Sequence, residues 1–153
     1  MIRTITGFHQ DEVGDWVAEL SCLHNQHVRH RPPFQERAWV LDEAGRAGRI
    51  GGQLDCPLCD RAELPADLVV VRTAGPFEEG TVPQGLRRDH QVPEGTWGLL
   101  QVTDGALGFT MDAPVSIERR LTTGDSQAIP PTVLHRVTLD GPVRMHVDFL
   151  SRR

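Results

Sequence analysis

Three cysteines and a run of histidines carry the sharpest chemical signal in the chain. Cys22-Leu23-His24-Asn25-Gln26-His27-Val28-Arg29-His30 is followed, 26 residues after its last histidine, by Cys56-Pro57-Leu58-Cys59. Zinc takes four soft or borderline ligands in a tetrahedron, and a two-residue gap lets two thiolates meet one ion from a tight turn. Cys22 supplies a third sulfur, and one imidazole completes a Cys3His set. His24 lies in the same turn as Cys22 and is the first choice. His27 is the substitute, while His30 would share a strand face with Val28 rather than with His27. Four protein ligands close such a site, which makes it structural rather than catalytic. Two other readings stay open: a buried cysteine pair with surface histidines and no metal, and a Cys-x-x-Cys redox pair. A redox pair usually opens a helix in a larger α/β unit, whereas this one lies between Gly51-Gly52 and a polar linker.

The elements that must position these residues are short. Thr4 to Gln10 and Trp16 to Cys22 are β-prone and separated by Asp11-Glu12-Val13-Gly14-Asp15, which reads as a hairpin. His27 to Arg31 reads as a third strand ending at Pro32-Pro33, and Ala38 to Ile50 as a short helix before Gly51-Gly52. A core of roughly 60 residues commonly needs a staple, and a structural metal is one of the few available. Every cysteine and four of the seven histidines precede residue 60, while the long alternating runs follow residue 66. Two modules are therefore expected, 1–62 and 63–153, with a joint in Asp60-Arg61-Ala62-Glu63-Leu64-Pro65-Ala66.

The second module reads as strands: Leu68 to Arg72, Trp97 to Thr103, Ala106 to Met111, Val115 to Leu121, and the closing pair His135 to Leu139 and Val143 to Leu150. Asp104-Gly105, Thr123-Gly124-Asp125 and Asp140-Gly141 are hairpin or corner turns, a cadence that favours a β-sandwich or small barrel. In the last strand Val143, Met145, Val147 and Phe149 share one face, and Arg144, His146 and Asp148 the other. The expected fold class is mainly β: a small zinc-stapled hairpin and helix module, then a β-sandwich barrel.

Composition narrows the function classes. All 16 basic residues are Arg, against 21 acids, for a net charge of −5. No global field favours nucleic acid or an anionic membrane. Five arginines, Arg29, Arg31, Arg37, Arg46 and Arg49, give the first module a local positive face, which acidic neighbours dilute. Without Lys or Tyr, Schiff-base catalysis by Lys and any Tyr acid or radical are excluded. No apolar run approaches the roughly 18–20 residues that span a bilayer, and the N-terminus lacks a signal-peptide pattern, so a soluble cytoplasmic protein is expected. Three cysteines are an odd count, which suits a reducing compartment better than a disulfide framework.

Residues 2–60 resemble a small bacterial domain family of unknown function. The residues that carry this are Gly7-Phe8-His9-Gln10-Asp11, Trp16 to Leu20, Cys22 to His30 with Pro32-Pro33, and Cys56 to Cys59. Leu23 departs from the family's usual Gly, and Ala38 from its usual Pro. The resemblance implies a family and no activity. Farther on, Gly124-Asp125, Ile129-Pro130-Pro131 and His135 resemble the second half of a cupin signature. Leu64-Pro65, Pro83, His90, Gly95-Thr96-Trp97-Gly98, Val102, Gly105, Pro130 and His135 resemble the cupin-like domain at the N-terminus of tellurite-resistance methyltransferases. This covers residues 64–150 and implies a cupin-like barrel for the second module, a tellurite-resistance-type domain.

An ordinary metal cupin offers His-x-His and a Glu in its first half; here His90 stands alone, then Glu94, and Gly98 occupies the usual Glu position. His90, Glu94 and His135 remain a facial two-His-one-carboxylate set suited to iron(II) or zinc, with His146 and Asp148 in reserve. The alternative is that His90 and His135 hydrogen-bond inside the barrel or line a pocket without metal. Trp97 is expected as a core or pocket-wall residue, with His146 and Asp148 also facing the pocket. Three functions follow. The first is a stress-linked barrel binding a small molecule or oxyanion beside a zinc scaffold. The second is a metal-dependent oxygenase or isomerase. The third is a zinc-module adaptor for protein or RNA. The resemblance to cupins, which often pair sheets, also makes a homodimer an expectation.

Overall fold

The computed structural model describes residues 1–112 and 116–153. Contacts divide the chain into two compact units, Ile2–Cys56 and Pro57–Arg153 with Met1. No helix among the described residues is long and apolar enough to cross a membrane.

In the first unit a side chain closes the turn that the sequence marks. Asp11 Oδ1 accepts from the backbone N–H groups of Val13 at 3.0 Å and Asp15 at 2.9 Å. That turn folds β1 (Ile2–Gln10) onto β2 (Trp16–Leu20). With β3 (Asn25–His27) and β4 (Gln53–Asp55) they form an antiparallel sheet of order β3-β2-β1-β4. Its apolar core is small: Ile5, Val17, Ala18, Leu20, Val28 and Val40 are buried. Trp16 and Trp39 are instead roofed by arginine, with Arg46 Cζ 3.6 Å from the Trp16 ring centre and Arg49 Cζ 5.0 Å from that of Trp39.

Two expectations here need correction. The third strand lies earlier than His27 to Arg31, because the chain turns away after Val28. His30 leaves the sheet to accept the Arg37 N–H at 2.9 Å, and Pro32-Pro33 sits in a loop closed between Arg31 and Gln35. The single helix over 38–50 is two pieces, a 3₁₀ turn at Ala38–Leu41 and α1 (Glu43–Ala47). Asp42 between them is extended, and its carboxylate caps α1 by accepting the Gly45 N–H at 2.6 Å. An N-cap residue needs non-helical backbone, so the cap itself breaks the helix.

In the second unit, α2 (Pro57–Asp60) precedes the strands β5 (Val69–Glu78), β6 (Trp97–Met111), β7 (Ile117–Thr122), β8 (Ser126–Ile129), β9 (His135–Thr138) and β10 (Val143–Ser151). The expected start of the fourth strand, Val115, lies outside the described residues. Asp104-Gly105 is no reversal: β6 is one strand of 15 residues. Its first half pairs with β10 and β8, and its second half with β7 and β9. Gly105, at φ +79°, is the bend that passes β6 from one set of partners to the other. A Cβ there would lie 2.1 Å from the Pro142 carbonyl oxygen. The closing strands do not pair with each other, since β9 joins β6 at residues 108–111 while β10 lies between β5 and β6. Asp140-Gly141 is therefore a corner. β8 falls where no strand is expected, and β5 runs six residues past Arg72.

The sheet curls around Leu100, Val102, Leu107, Phe109, Met111, Leu121, Ile129, Val137, Met145 and Val147, all buried. At about 1.5–3 kcal/mol per large apolar side chain withdrawn from water, this cluster is what closes the barrel. The architecture is mainly β, a curled, barrel-like sheet built on one bent strand.

Candidate metal centre and barrel cavity

The chain reverses tightly after β2. Leu23 N–H donates to the Leu20 carbonyl at 2.8 Å, and Leu20 N–H to the His24 carbonyl at 3.0 Å. Leu23 adopts φ +71°, a left-handed conformation that costs a non-glycine residue about 1–2 kcal/mol. The turn brings His24 Nδ1 to 3.5 Å from Cys22 Sγ. Cys56, just past β4, places its sulfur 3.4 Å from the same nitrogen and 3.8 Å from Cys22 Sγ. Cys59 enters from α2. The four donor atoms lie within 4.8 Å of one another, and all four residues are buried.

These spacings test whether an ion fits. Ligands at tetrahedral angles, with sulfur about 2.3 Å and nitrogen about 2.0 Å from one ion, stand about 3.8 Å apart for sulfur pairs and about 3.5 Å for sulfur to nitrogen. The Cys22, His24 and Cys56 donors match those edges, and the sulfurs are far beyond the about 2.05 Å of a disulfide. Burial opposes protonation of His24, but hydrogen bonds to the Cys22 and Cys56 sulfurs and their charge outweigh it and push its pKa up to about 9. The cluster attracts positive charge, and a cation bound there would displace a proton from Nδ1. His27 is elsewhere, exposed on β3 with Nε2 2.8 Å from Asp11 Oδ2.

In the barrel, His90 and His135 form a backbone bridge, each N–H donating to the other's carbonyl at 2.9 and 3.0 Å. Their rings stand 5.5 Å apart and nearly perpendicular. His135 Nδ1 is 3.0 Å from the Val133 carbonyl, so it carries the hydrogen and Nε2 is left as an acceptor. Burial holds this ring's pKa below the ordinary histidine value. Glu94 is exposed in the turn before β6, and no group of three metal-ligand side chains among the described residues gathers it with the two histidines.

His90 lines an open-mouthed cavity of about 220 Å³ with the exposed Arg72 at its edge and Phe77, Leu86, Val147 and Phe149 among its walls. None of Trp97, His146 and Asp148 lines it. Trp97 is fully buried. His146 and Asp148 alternate with the core residues Met145 and Val147, on the other face of β10. There Asp148 accepts from Thr73 at 2.6 Å and Gln101 at 2.7 Å. The sequence reading does not single out Arg72, Phe77 or Phe149 for the cavity. The available signal is period two: Arg72 and Ala74 share a face of β5, and both line the cavity.

Residues 6–63 match the model of a protein family of unknown function, DUF3565, and residues 72–147 match a TehB-like domain. In these two stretches the chain is similar first to DUF3565 and then to a TehB-like domain. All four donors of the cluster fall within the residues matched to DUF3565, and Arg72, His90 and His135 within those matched to the TehB-like domain. No curated protein matches the chain. Among solved structures it is similar to TehB from Haemophilus influenzae, at 24% identity and a TM-score of 0.50, over 57% of this chain and 32% of that one. The chain thus spans about a third of TehB's length. It is also similar to a protein from Escherichia coli strain K12, at 19% identity and a TM-score of 0.52, over 60% of this chain and 97% of that one. A cupin protein from Bacteroides fragilis aligns at 13% identity and a TM-score of 0.34, over 56% of this chain and 60% of that one. For the first two the likeness concerns fold alone.

Proposed function

We propose that the chain is a zinc-stapled binding protein: the Cys22/His24/Cys56/Cys59 centre serves the fold, and the TehB-like barrel takes up a small molecule in its cavity. The observation that carries this reading is the contrast between the two donor sets. One has four buried donors within 4.8 Å of one another, three of them at tetrahedral spacing, the Cys3His set that suits zinc. The other offers a histidine pair with no carboxylate gathered to it among the described residues, and His90 lines a cavity of about 220 Å³. Thiolates kept as metal ligands also suit a reducing compartment such as the cytoplasm.

A second reading, a metal-dependent oxygenase or isomerase, draws on the adjacent His90 and His135 rings and the acceptor nitrogen left on His135. Elemental analysis of the full chain, purified without a metal-binding tag, separates the two. The expected result is one zinc per chain, kept in His27→Ala and His90→Ala and held at least about tenfold more weakly against a chelator in His24→Ala. A second metal lost in both His90→Ala and His135→Ala replaces binding with catalysis. Full metal retention in His24→Ala overturns the assigned centre.

A further inference from the structure

The barrel cavity is chemically lopsided. Apart from Arg72 and His90, every residue lining it is apolar or glycine. Arg72 makes no ion pair or side-chain hydrogen bond among the described residues; its guanidinium carbon lies 4.2 Å from the centre of the Phe149 ring. That cation–π contact places the guanidinium head against Phe149 without engaging its N–H groups. The ring nitrogens of His90 likewise carry no hydrogen bond among the described residues. Nearby carboxylates are engaged elsewhere. Asp89 pairs with Arg136 at 3.1 Å, and Asp148 is bonded to Thr73 and Gln101 on the outer face of β10.

We propose that this cavity recognises a small organic carboxylate, its apolar body against Phe77, Leu86 and Val147 and its head on Arg72, with His90 as a second polar contact. The inference rests on the reading of the barrel as a small-molecule site and narrows it to a class. A planar guanidinium matches a carboxylate through two parallel N–H···O bonds, and such charge-assisted bonds are about twice as strong as neutral ones. A compact inorganic oxyanion would give up hydration to face apolar walls that offer it nothing. The volume, below the about 300–1,000 Å³ of drug-sized clefts, suits a body the size of a benzene ring or a short alkyl chain.

Titration calorimetry on the full chain tests this with benzoate and hexanoate, their neutral counterparts benzamide and hexanamide, and inorganic phosphate and tellurite. The carboxylates are expected to bind saturably and at least about tenfold tighter than the amides. Arg72→Gln is expected to remove that preference and Arg72→Lys to restore part of it, with the melting temperature of each variant reporting that it folds. Amides binding as tightly as the acids, or an unchanged preference in Arg72→Gln, overturns the carboxylate assignment while the small-molecule reading stands. Phosphate or tellurite binding as tightly as benzoate, and lost in Arg72→Gln, replaces it with a compact-oxyanion site. If none of the six probes binds, both readings fall.

Discussion

Burial decides the ionisation of His135. The ring is 3% exposed, and withdrawal from water lowers its pKa more than the hydrogen bond to Val133 and the charge of Asp89 raise it, with His90 adding to the lowering. An unfolded chain binds a proton at this residue near pH 6.5, whereas the folded one waits for lower pH. The stability that neutral His135 contributes is thus present above about pH 6.5 and lost as pH falls below it. Melting temperatures from pH 8 to 5 are expected to fall less steeply in His135→Gln than in the unaltered chain, and parallel curves would contradict the assignment. At this scale spacing is informative where ligands are close in sequence: Cys56 and Cys59 meet because only one short turn separates them. It says less about His24 and His27, which differ by three residues, and the decision falls to the left-handed turn at Leu23 and to Asp11, which holds His27 in place. Arg72 is readable only as the end of a strand, since its meaning depends on Phe149 beside it, 77 positions away.

At the scale of elements, β6 organises the barrel. The strand tendency of 97–103 and 106–111 is plain in the residues, but Asp-Gly between alternating runs is also a hairpin signal. The two outcomes differ only in where residues 143 and beyond lie. In the fold, Val143 pairs with Gly105, so the glycine is crowded by the Pro142 backbone and bends rather than reverses. Gly105→Ala is expected to destabilise the chain by at least about 2 kcal/mol, because it combines positive φ with a backbone clash. That corresponds to a fall of roughly 4 °C or more in melting temperature. Gly124 has φ +90° but nothing within 4 Å of its would-be Cβ, so Gly124→Ala is expected to cost about half as much. Equal losses in thermal denaturation would show that conformation alone, without the Pro142 contact, sets the cost.

On the scale of the whole molecule, the two units differ in what holds them together. The first has few buried apolar residues and carries three of the four buried donors, Cys22, His24 and Cys56, and small domains of this kind commonly depend on a staple such as a metal. The second closes around its own apolar cluster. Chelation is therefore expected to raise amide hydrogen exchange in β1, β2 and β3 while leaving the centre of β6 protected. Equal loss in both units would refute a local role for the metal, and no loss in either would refute a structural one. From the amino-acid sequence alone, the mainly β class, the hairpin of the first unit, the alternation in β10 and a Cys/His ligand set open at one histidine are all readable, because each depends on residue type and on separations of a few positions. Only the tertiary structure decides that His24 joins the sulfurs, that β6 is continuous, that Glu94 stays outside the histidine pair and that Arg72 meets His90 across a cavity. Those outcomes depend on strand pairings and close contacts between residues far apart in the chain, each individually weak, and no local spacing encodes their sum.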